Sequence, residues 1–131
     1  MEKKEPLNLI LERQKLGIHV KSIRDSIVNI DESKIGITQQ LMEALVDGLS
    51  RRTIGEVENA KTNARVDSLN KIAAAFNISL YELCDYNFTI CAIYRNNKIE
   101  VISSSTNYSI EGEKLYKEWF EKINDLENEN N

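Results

Sequence analysis

The chain has 131 residues, of which 41% are hydrophobic and 29% are charged, and its formal net charge is −4. This length corresponds to one domain, or to one small domain with an appendage, and the composition excludes wholesale disorder. No stretch approaches the roughly 20 consecutive apolar residues that a membrane helix needs, so we expect a cytoplasmic protein that does not associate with membranes. On charge alone, a mildly acidic chain is not expected to bind nucleic acid.

The residues that most often carry catalysis or metal binding are few. Cys84 and Cys91 lie in apolar surroundings without a C-x-x-C spacing, so we expect buried free thiols and no metal site. His19 is the single histidine, and no glycine-rich phosphate loop is present. The sequence therefore argues against an enzyme and predicts no cofactor.

The first predicted element is a helix. Apolar residues recur every three or four positions from Leu7 to Ile27, although Gly17 leaves open one bent helix or two successive ones. The polar segment 29–36 that follows predicts a loop.

Two short helices come next, each with a hydroxyl residue in the position of an N-cap. Thr38 precedes a first helix that contains Leu41, Met42, Leu45 and Val46. After the turn signal Asp47-Gly48, Ser50 precedes a second helix from Arg51 to about Ala60, whose buried side is formed by Ile54 and Val57.

Two further helices complete this half of the chain. The first runs from about Val66 to Phe76, with Val66, Leu69, Ile72, Ala73 and Phe76 on one apolar stripe, and Asn77 is its expected C-terminal cap. Ser79 then begins another short helix that ends near Leu83.

The hydrophobic period changes from about 3.6 to 2 at Phe88, which predicts a β-hairpin with its turn at Asn96-Asn97. This turn places Tyr94 opposite Ile99 and Ala92 opposite Val101. A last helix from about Glu111 to Leu126 carries the most aromatic stripe of the chain, formed by Leu115, Tyr116, Trp119, Phe120, Ile123 and Leu126.

The run from Ser50 to Leu83, SRRTIGEVENAKTNARVDSLNKIAAAFNISLYEL, resembles the phage lambda repressor and Cro-like helix-turn-helix family, also called the Xre type. Its stretch Val66-x-x-Leu69-x-x-Ile72-Ala73-x-Ala75-Phe76-Asn77-Ile78-Ser79 is similar to the family pattern Leu-x-x-Leu-x-x-Ile-Ala-x-Ala-Leu-Gly-Val-Ser. The chain departs from that pattern in a longer loop between Arg24 and Thr38, in a longer turn after Leu45, and in Ala60 and Ala64, where the family has Gly and Pro.

The resemblance implies a helix-turn-helix bundle of about five helices in residues 1–86. Together with the hairpin and last helix that the hydrophobic pattern predicts in residues 87–131, this gives a mainly α fold with a small β-hairpin and a C-terminal helix. It also implies that the helix after Ser50 enters the major groove of double-stranded DNA. With Ile54 and Val57 facing inward, its outward residues are Ser50, Arg51, Arg52, Thr53, Gly55 and Glu56. Arg51 or Arg52 would pair with guanine, and Glu56 would accept from cytosine N4.

The family resemblance adds three residues outside that helix. Gln39 at the start of the preceding helix, and Lys61 with Asn63 after the recognition helix, are expected to contact phosphates. The charge distribution agrees with this placement, because residues 51–71 hold five basic and three acidic residues whereas residues 87–131 hold five basic and eight acidic ones.

We expect a homodimer, because so few cations per copy imply weak binding by a monomer. The expected dimerisation residues are Tyr94, Ile99, Val101, Trp119, Phe120 and Ile123. Two alternatives stay open: these residues form core within one chain, or the protein is a protein-binding module, such as an antitoxin or a phage-encoded inhibitor, that adds its hairpin edge to a partner. Otherwise the sequence predicts a transcriptional regulator, most simply a repressor of a bacterial, prophage or mobile-element type.

Overall fold

The computed structural model describes residues 7–61 and 63–129. Its elements follow in the order α1 (Leu7–Ser26), β1 (Val28–Asn29), β2 (Lys34–Ile35), α2 (Gln39–Glu43), α3 (Arg51–Glu58), α4 (Val66–Phe76), α5 (Leu80–Cys84), β3 (Ile90–Arg95), β4 (Lys98–Ser104) and α6 (Ile110–Glu129). The predicted helices and the predicted hairpin are all present, within a few residues of the expected bounds.

The short helices begin where the sequence places hydroxyl caps. The Thr38 hydroxyl accepts a hydrogen bond from Leu41 N at 3.0 Å, and Ser50 Oγ accepts one from Thr53 N at 3.1 Å. Ser79 forms a reciprocal capping box with Glu82 at the start of α5. Each cap satisfies amide groups that a helix leaves unpaired in its first turn, which fixes the starting residue of each short helix.

Gly17 is required by packing and does not break α1, which is a single helix. A Cβ atom built on Gly17 would lie 2.5 Å from the carbonyl oxygen of Glu58 and 2.7 Å from that of Val57. Only glycine allows the backbones of α1 and α3 to approach this closely.

The prediction of a loop for residues 29–36 is confirmed for residues 30–33 and 36 but is wrong for Asn29, Lys34 and Ile35. Two short strands, β1 and β2, pair there in antiparallel fashion, with Val28 opposite Ile35. β1 also pairs in parallel with β3, and Ile30 N donates to Tyr94 O at 3.0 Å. Strands of two residues are too short to show a hydrophobic period, so this pairing was invisible in the sequence.

The sheet has the strand order β2-β1-β3-β4. The register of the hairpin is the predicted one, with Tyr94 opposite Ile99 and Ala92 opposite Val101. Asn96 and Asn97 have φ values of 52° and 62°, the left-handed conformation that a two-residue hairpin turn of this type needs.

Helices cover both faces of this sheet. On one face, Ala92, Tyr94 and Ile99 join the large core that α1 to α5 build around Ile54, Ile72 and Phe76. On the other face, α6 packs Ile123 against Val28 and Ile93. The hairpin and α6 are therefore packed onto the helical bundle of their own chain.

Two expectations about burial are wrong. Val66, predicted on the buried stripe of α4, is 64% exposed because it is the first residue of that helix and lies beyond the edge of the core. Cys84, predicted to be buried, is exposed at the end of α5, whereas Cys91 is half-buried.

His19 gives the folded state a dependence on pH. It is 7% exposed on α1, and its Nε2 atom has no hydrogen-bond partner among the described residues. Burial lowers the pKa of His19 below its ordinary value of 6.5, although the Glu82 carbonyl and the charge of Asp85 act in the opposite direction.

Because the unfolded chain takes up this proton at a higher pH than the folded chain, the free energy of unfolding should be level above about pH 7 and fall as the pH drops below 6.5. Urea denaturation at pH 7.5, 6.5 and 5.5 measures this slope. The His19→Gln variant should lose it between pH 7.5 and 5.5. An equal slope in that variant would assign the dependence to other groups.

Candidate nucleic-acid interface

The start of α3 presents a basic, solvent-exposed face. Ile54 and Val57 are buried against the core, so the opposite side of the helix faces solvent. That side carries Arg51 and Arg52, whose side chains are 59% and 88% exposed. The structure thus exposes both predicted arginines in the first turn of one helix, beside its capped N-terminus.

Each arginine has a carboxylate next to it. Glu43, at the end of α2, accepts from Arg51 N at 2.6 Å, and its carboxylate lies 3.7 Å from Arg51 Nε. Glu56, one turn further along α3, accepts from Arg52 Nε at 3.0 Å. The two side chains are therefore held in different directions, Arg51 towards α2 and Arg52 along α3.

The other predicted residues of α3 lie around this pair. The Ser50 hydroxyl also donates to the Thr53 hydroxyl at 2.9 Å, so both hydroxyls are engaged at the cap. Gly55 faces the side chain of Gln39, which a Cβ atom on Gly55 would meet at 3.7 Å. Gln39 of α2 and Gly55 of α3 thus lie next to each other.

A buried ion pair fixes α3 against α1. Arg24 donates to the Glu58 carboxylate through Nε at 2.8 Å and through Nη2 at 2.9 Å, and its Nη1 donates to Ile37 O at 2.7 Å. The Glu58 side chain is only 3% exposed. Hydrogen bonding to Glu58 raises the pKa of the Arg24 guanidinium above its ordinary value. This pair was missed in the sequence because its members are 34 positions apart.

Gln39 belongs to the same network. Its side-chain amide donates to Glu58 Oε1 at 3.1 Å. The residue predicted to contact a phosphate is thus anchored between the start of α2 and the end of α3. Its amide oxygen faces Gly55 on the exposed side of the helix.

α3 ends in a left-handed residue. Ala60 has a φ of 55°, and the next amide, Lys61 N, donates to Glu56 O at 3.0 Å. This hydrogen-bond pattern closes a helix most easily with glycine at the left-handed position, because a Cβ atom there is strained. Lys61 and Asn63 follow it and are exposed.

Replacing Ala60 with glycine should therefore raise the free energy of unfolding by about 1 kcal/mol, because the left-handed strain disappears. Ala74→Gly is the matched control, since Ala74 is an exposed residue in the interior of α4, where glycine should cost about 1 kcal/mol. Urea denaturation measures the change in the free energy of unfolding for both variants, which should rise for Ala60→Gly and fall for Ala74→Gly. Destabilisation by both would show that the Ala60 backbone is not strained.

A shallow groove of about 320 Å³ lies between α3 and the start of α4. It is lined by Thr53, Glu56 and Asn63 from the predicted set, and by Arg65 and Ser68, which sequence reasoning did not assign. Arg65 is exposed at the position of the N-cap of α4. In the sequence, Arg65 could be associated with this surface only because it belongs to the basic segment 51–71.

The six residues predicted to form a dimer contact are placed in two groups. Tyr94, Ile99 and Ile123 are 7%, 3% and 1% exposed within the single chain, because the bundle and α6 already cover them. Val101, Trp119 and Phe120 are partly exposed. Only the second group offers side-chain surface to another molecule.

Two further properties bear on function. Over residues 7–61 and 63–129, no helix combines the length and the apolar character that crossing a membrane requires. In the same part of the chain, no group of three or more His, Cys, Asp and Glu side chains is placed to hold a metal ion.

Comparison with known proteins identifies the fold of the central segment. Residues 32–83, which span β2 and α2 to α5, match the helix-turn-helix family model. No curated protein and no solved structure matches the chain significantly. The matched segment contains the capped helix α3 and its arginine pair. Residues 32–83 are thus similar to helix-turn-helix domains of the Xre and lambda-repressor type, which supports a DNA-binding helix-turn-helix regulator.

Proposed function

We propose that this protein is a sequence-specific regulator of transcription that inserts α3 into the major groove of its operator. The observation that carries the proposal is the arginine pair Arg51 and Arg52, exposed on the outer face of a helix whose inner face is fixed in the core. A rigid helix with an exposed basic first turn suits the major groove, which admits one α-helix.

The remaining candidate residues have distinct roles in this proposal. Gln39, Lys61 and Asn63 contact phosphates on either side of the groove and set the register of the protein on DNA. Ser50 and Thr53 contact the DNA backbone next to the start of α3. Gly55 allows the middle of α3 to approach the bases closely. Repression of transcription is the simplest regulatory consequence, because a bound protein excludes polymerase.

The protein acts as a homodimer on two half-sites in this proposal. One copy has few cations at its DNA face, so useful affinity requires two linked copies. The hairpin and α6 supply the contact through the partly exposed Val101, Trp119 and Phe120, while their buried neighbours hold the surface rigid. The acidic excess of residues 87–131 favours an orientation in which α6 faces away from the phosphates.

Selection of bound fragments from a random DNA library tests the function. We expect enrichment of a two-half-site sequence with half-sites about one helical turn apart. The same library presented to Arg51→Ala/Arg52→Ala protein is the control and should return no enriched sequence. Failure of the wild-type protein to enrich any sequence would contradict the proposal, and recovery from lysate of one partner protein without DNA would favour the protein-binding alternative.

The dimer is tested by sedimentation. Trp119→Ser should shift the protein from dimer to monomer at micromolar concentration. Tyr81→Ser is the matched control, because Tyr81 is 79% exposed on α5, outside the proposed contact. A monomeric wild-type protein, or a Trp119→Ser protein that stays dimeric, would contradict the proposed contact.

A further inference from the structure

Arg51 and Arg52, at the start of α3, contact different carboxylates and extend in different directions. This difference indicates which of the two side chains can reach a base. The carboxylate of Glu43 accepts from the backbone of Arg51, which ties this acidic group to the first turn of α3. Its other neighbour is Arg51 Nε at 3.7 Å. Arg51 is thereby drawn back towards α2, at the border of the exposed face.

Arg52 has a direct hydrogen bond within the helix that would carry it into the groove. Its Nε donates to Glu56 Oε1 at 3.0 Å, and the two residues lie one turn apart. A guanidinium group has five N–H donors, and a bond through Nε leaves the edge formed by Nη1 and Nη2 available. Two parallel donors on that edge match the O6 and N7 acceptors of guanine.

Glu56 is placed behind this arginine. Its side chain is 34% exposed against 88% for Arg52, and it also lines the groove towards Asn63 and Arg65. A carboxylate in that position limits the rotamers of Arg52 before DNA arrives, which lowers the entropy that binding must overcome. The Glu56 carboxylate also repels DNA phosphates, unless the Arg52 guanidinium lies between the two negative groups.

We propose that Arg52 is the guanine-reading residue of this protein and that Glu56 is its positioning residue, rather than a direct acceptor from cytosine. This inference rests on the proposed function and refines it. Arg51 serves as a phosphate contact oriented by Glu43. Each operator half-site therefore contains a guanine whose recognition depends on both members of the Arg52–Glu56 pair.

The test combines library selection with a double-mutant cycle. Arg52→Ala should lose the preference for guanine at one position of the half-site, and Glu56→Gln should relax the preference at that same position by about 3- to 10-fold. Combining the two changes should be no worse than Arg52→Ala alone, because a positioning residue has no effect once its arginine is gone. Glu113→Gln, which removes a comparable pair one turn apart with Lys117 on α6, is the control and should select the wild-type sequence.

The outcomes separate the possible roles of Glu56. A new preference of Glu56→Gln for adenine at a different base pair would make Glu56 a direct reader and overturn the inference, because glutamine pairs with adenine. Additive losses from Arg52→Ala and Glu56→Gln would overturn it as well. If the wild-type protein selects a sequence but only Arg51→Ala loses a guanine, the assignment to Arg52 fails while the proposed function stands. A wild-type protein that selects no sequence overturns both.

Discussion

Glu58→Gln should lower the free energy of unfolding by about 3 kcal/mol, the largest single-residue effect on stability that we expect. The substitution keeps the shape of the side chain but removes the carboxylate that binds the Arg24 guanidinium directly, and it leaves that group, 12% exposed, with the exposed carboxylate of Asp25 at 3.7 Å. Glutamine keeps one acceptor oxygen, so either Arg24 Nε loses its acceptor, or Arg24 Nη2 and the Gln39 amide lose theirs, and the bonds that remain no longer end on a charged group. Urea denaturation followed by circular dichroism measures the change.

The matched control is Glu113→Gln on α6, whose carboxylate pairs with Lys117 in solvent. Exposed pairs contribute little, so its denaturation midpoint should stay close to that of the wild type. Replacing both members of the buried pair, Arg24→Met with Glu58→Met, should recover most of the lost stability, because no charge then remains buried. Equal midpoints for Glu58→Gln and Glu113→Gln would show that the buried pair does not hold α3 in place.

Arg51→Ala combined with Arg52→Ala should reduce specific operator affinity by about 100-fold or more. A bidentate contact to a base contributes about 1–3 kcal/mol of discrimination, and loss of a phosphate contact also flattens the dependence of affinity on salt. Both side chains are exposed and outside the core, so the melting temperature should hardly change. Fluorescence anisotropy with the selected operator at two salt concentrations measures both effects.

A second double variant tests whether operator affinity depends on the position of the removed charges or only on their number. Arg95 and Lys98 flank the hairpin turn and are exposed. Arg95→Ala with Lys98→Ala removes the same number of positive charges from the hairpin instead of α3, and its operator affinity should stay within a few-fold of wild type. If this variant weakens binding as much as Arg51→Ala/Arg52→Ala does, DNA binding depends on net charge and not on the face of α3.

Local signals in the sequence were sufficient for the helices and for the hairpin with its register. Hydroxyl caps such as Ser50 and left-handed residues such as Asn77 act within one turn of the chain, so they can be found by inspection. The two-residue turn at Asn96-Asn97 fixes which residues face each other. The exposed arginines followed from the same logic, because Ile54 and Val57 define the buried side of α3.

Contacts between distant residues could not be predicted in this way. The pairing of β1 with β3 joins segments more than 60 positions apart, and neither segment signals the other. The Arg24–Glu58 pair and the carboxylate of Glu43 beside Arg51 also depend on how helices pack. The helix-weakening effect of Gly17 is visible in the sequence, whereas the need for glycine there depends on the backbone of α3 that lies against it.

We expect the exposed face of α3 to contact DNA, and amide chemical-shift mapping on the wild-type protein can detect this contact residue by residue. Titration with the selected operator should perturb residues 50–56, 61 and 63–65 most strongly, with smaller changes near Gln39. Amides of α6 should change little beyond any effect of dimerisation that is already present without DNA. Perturbations confined to the hairpin and α6, with α3 unchanged, would contradict this account.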